Sequence, residues 1–116
     1  MADGATFDFA AQLWRYPGDD GWYFVSLPPQ VSADISDISA GIRRGFGSVR
    51  VAAVVGATSW RMSIFPDSNA GTYLLPIKRA VRASEHLEAG DDVRARVQIV
   101  DLAREPGQLR VPEAEA

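Results

Sequence analysis

The sequence predicts a mainly β protein, a small six-stranded antiparallel or mixed barrel with two short helices. Three observations predict it. Most segments between breakers alternate apolar and polar side chains with period two, the pattern of a strand with one buried and one wet face. Clusters of Gly, Pro, Asp and Asn separate those segments. The chain has 116 residues, 47% hydrophobic and 23% charged, which suits one domain able to bury its own core. A strand set this small hides its edges most simply by closing into a barrel.

The elements follow in order. In Phe7–Arg15, the residues Phe7, Phe9, Ala11 and Leu13 share one face, with Asp8 and Gln12 on the other. Pro17-Gly-Asp-Asp-Gly21 is a turn, and the aromatic and β-branched run Trp22–Leu27 pairs back as a hairpin with a five-residue loop. Pro28-Pro29 ends that strand. A short helix over Gln30–Ala40 would bury Val31, Ile35 and Ile38, with Ser32 as a cap or early-turn residue. Residues 41–47 are loop, exposing Arg43 and Arg44. Ser48–Val55 is a third strand, facing inward through Val49, Val51, Ala53 and Val55. Gly56-Ala57 turns it into a fourth, Thr58–Phe65, with Trp60, Met62 and Ile64 inward. Pro66–Gly71 reads as a turn, Thr72–Leu75 as a fifth strand, and Pro76 as lying just before or at the first turn of a helix over 77–86. Ile77, Ala80, Val81, Ser84 and Leu87 line its buried side; Lys78, Arg79 and Arg82 are exposed. After the Gly90-Asp-Asp92 turn, Val93–Val100 is a sixth strand. One domain over 1–103 is expected, and the polar 104–116, with Pro106, Pro112 and Glu-Ala-Glu-Ala, reads as a disordered tail.

Composition removes several function classes. There are no cysteines, so disulfides, thiolate nucleophiles and cysteine metal sites are excluded. His86 alone could act as an imidazole, and it lacks clustered ligand partners. Asp19-Asp20 and Asp91-Asp92 lack calcium-loop spacing. No nucleophile elbow and no phosphate-cradling glycine loop occurs. The sequence therefore predicts no catalytic activity, no metal and no cofactor. The start lacks a basic, apolar leader and no run approaches the roughly 20 apolar residues that span a bilayer, so a cytoplasmic location without membrane contact is expected. A net charge of −3 and a pI near 5.0 count against a general nucleic-acid binder.

Seven segments carry a resemblance: Phe9–Trp14, Trp22–Pro28, Arg44–Val49, Ser63–Pro66, Gly71–Lys78, Val81–Ala83 and Gly90-Asp91. In this order and spacing they resemble the family called domain of unknown function 1905, over about residues 6–102. The resemblance implies a small β-barrel grouped near the double-split barrels of the AbrB and MazE type. It implies no activity and no catalytic residues. Some relatives carry a following helical segment associated with bacteriocin protection, which is not expected within these 116 residues.

The candidate site is the element Ser63–Ala83. Lys78, Arg79 and Arg82 open a helix, the wrong end of its dipole for cations, and a local rule broken without structural gain marks a candidate functional site. Lys78 and Arg82 share a face and repel. Two readings stand. In one, the cations are a solvated face, or pair with Asp67, Asp91 or Glu85. In the other, the helix-start N–H groups with Lys78, Arg79 and Arg82 hold an anionic small molecule, with Thr72, Tyr73 and Arg61 contributing from adjacent strands. Trp14, Tyr16, Trp22, Phe24, Trp60 and Tyr73 pack mostly in the core or rim, with Trp14 and Tyr16 on the outer strand face. An alternative function is a homodimerising protein-interaction domain that uses exposed aromatics and strand edges; a third, resting only on the fold analogy, is an AbrB-like nucleic-acid-binding domain.

Overall fold

Alternating sequence becomes strand almost wherever it occurs. The computed structural model describes residues 5–18, 21–41 and 47–100. Its elements run β1 (Thr6–Arg15), β2 (Tyr23–Ser26), α1 (Pro29–Ile38), β3 (Val49–Val55), β4 (Thr58–Asp67), β5 (Thr72–Pro76), α2 (Arg79–Glu85) and β6 (Asp92–Ile99). The strands close into a barrel in the order β1-β2-β5-β4-β3-β6, and every neighbouring pair is antiparallel. Arg43, Arg44, Asp19, Asp20 and the 104–116 tail of the sequence reading lie outside the described residues.

Two long strands achieve the closure by changing partners midway. β1 pairs β6 through Thr6–Gln12 and then β2 through Leu13–Arg15. β4 pairs β3 through Thr58–Ile64 and then β5 through Phe65–Asp67. The inward phase of each strand fills the interior: Leu13, Val25, Val49, Val51, Ala53, Ile64, Leu75, Val93, Val97 and Ile99 are all at most 1% exposed. Burying each such side chain contributes about 1.5–3 kcal/mol for the Val, Leu and Ile members. Phe7, Phe9, Trp60 and Met62 are partly buried and pack against this core.

The prolines differ from the sequence reading for one reason: sheet pairing extends further than expected. Pro66 lies inside β4, opposite Tyr73. β3 leaves β4 at Ile64, so Pro66 has a strand on one side only, the setting in which a strand accepts proline. The turn is correspondingly shorter, and Asp67 organises it by accepting from the N–H of Asn69 through Oδ1 (3.1 Å) and of Gly71 through its carbonyl (2.8 Å). Pro76 does not begin a helix. It ends β5 opposite Phe24, and Ile77 N–H still donates to Tyr23 O at 2.9 Å.

α1 covers one end of the barrel. Its buried residues are Ser32 and Ile35, and Ser39 follows at the C-cap. Ile38, expected inside, is 40% exposed. Ser32 does not cap the helix, whose N-cap is Pro28. Its hydroxyl instead donates to Leu27 O (3.3 Å) and accepts from Tyr73 N–H (3.0 Å), tying α1 to the ends of β2 and β5.

Candidate functional site

The last residues of β5 set the site. Ile77 is 2% exposed, so its side chain plugs the barrel and forces the next residue outward. Lys78 is extended (φ −67°, ψ 158°) and is the N-cap of α2. It brings no side-chain cap, and its carbonyl accepts from Val81 and Arg82 N–H at 3.0 Å. α2 has seven residues, of which Val81 is buried. Ala80 and Ser84, expected on the buried side, are exposed, because so short a helix presses only one residue into the barrel. With two turns, its dipole is a minor influence on a ligand. The chemistry at this place comes from side chains.

Arg82 is fixed. Its guanidinium lies over the Tyr23 ring, 3.8 Å from the centroid, and its Nε–H donates to Ile77 O at 3.2 Å. The cation–π contact and the hydrogen bond from Nε together hold the planar fork at one place. The Glu85 carboxylate, one expected partner, is taken elsewhere: it accepts from Thr58 Oγ1 (2.6 Å) and Ala57 N–H (3.2 Å), joining α2 to the β3–β4 turn. Asp67 and Asp91, the other expected partners, accept from backbone N–H groups of Asn69 and Glu88.

Arg82, Lys78, Arg79 and Arg15 line one cleft of about 800 Å³. Its floor and walls are Tyr23, Met62, Ile77, Ser63, Pro76, Trp22, Gly21 and Phe65. Arg15, Tyr23 and Met62 take the inward phase of their strands, and Ile77, just past β5, continues that of Tyr73 and Leu75, so the cleft is an open mouth of the barrel rimmed by cations. Among the described residues no carboxylate lines it, and none forms an ion pair with these four side chains. Arg96 makes the contrast. It meets Asp8 across the β1–β6 pair, with Nε–Oδ1 at 2.6 Å and Nη2–Oδ2 at 3.3 Å. The hydrogen bond from Arg96 holds the Asp8 carboxyl below its usual range, and the same bond holds Arg96 above its own.

Of the six residues the sequence singled out, three meet here: Lys78, Arg79 and Arg82. The other three do not line the cleft. Thr72 and Tyr73 are buried at 9% and 5% exposure, with Tyr73 N–H committed to Ser32. The Thr72 Oγ1 atom is buried and finds no hydrogen-bond partner. Arg61 is exposed on the outer phase of β4. Arg15, Trp22 and Phe65 were missed as site residues. Arg15 carried a signal, since an arginine in the inward phase at the end of an apolar strand must overhang the barrel mouth. Phe65 carried none, because nothing local in the sequence shows that α2 leaves that flank of β4 open.

Beside the cleft lies an aromatic surface on the outer phase of the β1–β2–β5–β4 strands. Trp22 stacks on Phe24 (centroids 6.1 Å apart, planes 7° apart), Trp14 packs on Phe24 at 5.4 Å, and Tyr16 meets Phe24 edge-on at 6.2 Å. Trp14 Nε1–H donates to Ser26 Oγ at 3.0 Å. Tyr16, Trp22 and Phe65 are 54%, 53% and 43% exposed.

Among the described residues no cluster of three His, Asp or Glu side chains could hold a metal ion, and no helix is long and apolar enough to cross a membrane. None of the curated proteins matches the chain. Residues 9–97 match the family described as Domain of unknown function (DUF1905), which covers β1 from Phe9 to most of β6, and the chain belongs to that family.

Proposed function

We propose that the protein is a binding module for a small, multiply anionic molecule held in the cleft between β2, the end of β5 and α2. One observation carries this reading: Arg15, Lys78, Arg79 and Arg82 converge on one concavity in which no described carboxylate neutralises them. Four unpaired like charges repel one another, and a phosphate or carboxylate bound among them relieves that repulsion. Arginine forks match such oxygens in pairs, and the low-dielectric floor of Tyr23, Met62 and Ile77 strengthens each contact. A face that merely solvates its charges would leave each side chain free, whereas Arg82 is fixed by Tyr23 and Ile77 O. The cytoplasmic setting expected from the sequence belongs to the same proposal, since phosphorylated small molecules are concentrated there.

The homodimer reading now rests mainly on the exposed aromatics, because barrel closure leaves only short one-sided stretches such as Phe65–Asp67, where Pro66 removes a donor. No observation favours nucleic-acid binding; that reading came only from the expected likeness to AbrB-type barrels, and likeness of fold is weak evidence of function.

The test is thermal unfolding in pyrophosphate against chloride at matched ionic strength. The wild type is expected to gain several degrees at saturating pyrophosphate. The Lys78→Ala/Arg79→Ala variant, altered at two exposed positions that support no packing, is expected to gain no more than the general stabilisation that excluded anions give any protein. Equal gains in both proteins would defeat the proposal.

A further inference from the structure

We infer that the anion is the polyphosphate of a nucleotide, with its base seated on the aromatic surface beside the cleft. This rests on the anion-binding reading and names its ligand class. Two cavities adjoin. The cationic cleft shares Trp22, Phe65 and Pro76 with a second hollow of about 360 Å³, whose remaining lining is Tyr16, Phe24 and Leu74. The two differ in chemistry. The first carries four cations; the second has no charged lining residue among those described and is walled by rings. A ligand that fills both must join several negative charges to an uncharged, planar, apolar group through a short linker. A nucleoside diphosphate or triphosphate has that construction.

The rings suit stacking. Trp22 already lies flat on Phe24, so its plane is set before a ligand arrives, and it is 53% exposed. Ordering a mobile tryptophan would subtract from the stacking energy, and here that cost is met by folding. Phe65 and Tyr16, 43% and 54% exposed, flank it. These exposures are high for rings of this size gathered on one surface rather than scattered singly. Charge complementarity selects the other half of the ligand. Three arginines and a lysine exceed what a single carboxylate or monophosphate can pair, and a cleft of about 800 Å³ exceeds what one such group fills. A longer single strand would call for a basic track leading out of the cleft, which a net charge of −3 does not favour.

The experiment is calorimetric titration of the full chain with inorganic tripolyphosphate, ATP, UTP and adenosine, in buffer with chelator so that the phosphates keep their charge. The wild type is expected to bind at least one nucleotide about tenfold or more tighter than tripolyphosphate, the increment a stacked base contributes, and adenosine weakly. Trp22→Ala is expected to bring the ratio of nucleotide to tripolyphosphate affinity to about one. Tyr16→Ala, outside the cationic cleft, is expected to lower that ratio and leave tripolyphosphate binding unchanged. Equal affinities for tripolyphosphate and both nucleotides in the wild type would overturn the base site alone and leave the anion site standing. No binding of tripolyphosphate or of either nucleotide would remove both. Tighter binding of a ten-base oligonucleotide than of either nucleotide would assign the surface to a strand and overturn the inference.

Discussion

Ser32 carries more structure than its place in the sequence suggests. One hydroxyl serves Leu27 O and Tyr73 N–H, both at the buried junction of α1, β2 and β5. Ser32→Ala leaves the Tyr73 N–H buried and unpaired, a loss of about 1–3 kcal/mol. The midpoint of denaturant unfolding is expected to fall with an unchanged m-value; a change below about 0.5 kcal/mol would show that the junction does not depend on this hydroxyl. This role could not be read from the chain, because a serine two residues into a helical pattern looks like a cap, and its true partners lie 5 and 41 residues away. Thr72 and Tyr73 illustrate the reverse. They adjoin the basic element in sequence, yet strand phase and the fold of α1 over the barrel bury them. Lys78, Arg79 and Arg82 were legible as a basic cluster, but only Lys78 and Arg79 stand at the start of α2; Arg82, expected there too, falls in the last turn of this short helix, the end that suits a cation, and is held by Tyr23 and Ile77 O.

At the scale of elements, α2 is positioned by its ends. Ile77 anchors the start in the barrel, and Glu85 ties the finish to the β3–β4 turn through Ala57 N–H and Thr58 Oγ1. That turn requires Gly56, which has positive φ (58°) beside Ala57, which does not, as in a type II′ hairpin. A methyl group at Gly56 would also collide with the Glu85 carboxylate. Gly56→Ala is therefore expected to cost about 1–3 kcal/mol through backbone strain and the displaced carboxylate together. In the Glu85→Ala background the same substitution is expected to cost less, because only the strain remains. Equal costs in both backgrounds, measured as a double-mutant cycle, would show that the turn and α2 are not coupled. The strands themselves were legible to within a residue or two, because period-two alternation survives from sequence to sheet. The exceptions are the prolines. Pro66 and Pro76 punctuate the sequence as turns do, but β4 and β5 carry their pairing across them where the second neighbour is absent or the strand is ending.

On the scale of the whole molecule, charge is distributed unevenly. The chain is acidic overall at −3, yet the barrel mouth beside α2 gathers Arg15, Lys78, Arg79 and Arg82 without a described acid among them. A concavity lined by one sign of charge over an apolar floor focuses potential and concentrates counter-ions whatever the net charge. Closure of the barrel was legible from the strand count and length. The cleft was not, because it forms where the β1–β2 hairpin meets two segments distant from it in sequence, the Met62–Phe65 part of β4 and the β5–α2 junction. Arg15 and Arg82 are adjacent to one cavity only because the register sets Arg15 opposite Tyr23 and α2 lays Arg82 on that same ring. The measurement that tests this account most directly is a backbone and arginine side-chain NMR titration with inorganic pyrophosphate. The account predicts saturable shifts at Arg15, Tyr23 and Ile77–Arg82, and no comparable change at Arg94 and Arg96, which lie on the exposed phase of β6 and do not line the cleft. Shifts that rise without saturation, or that affect Arg94 and Arg96 equally, would contradict it.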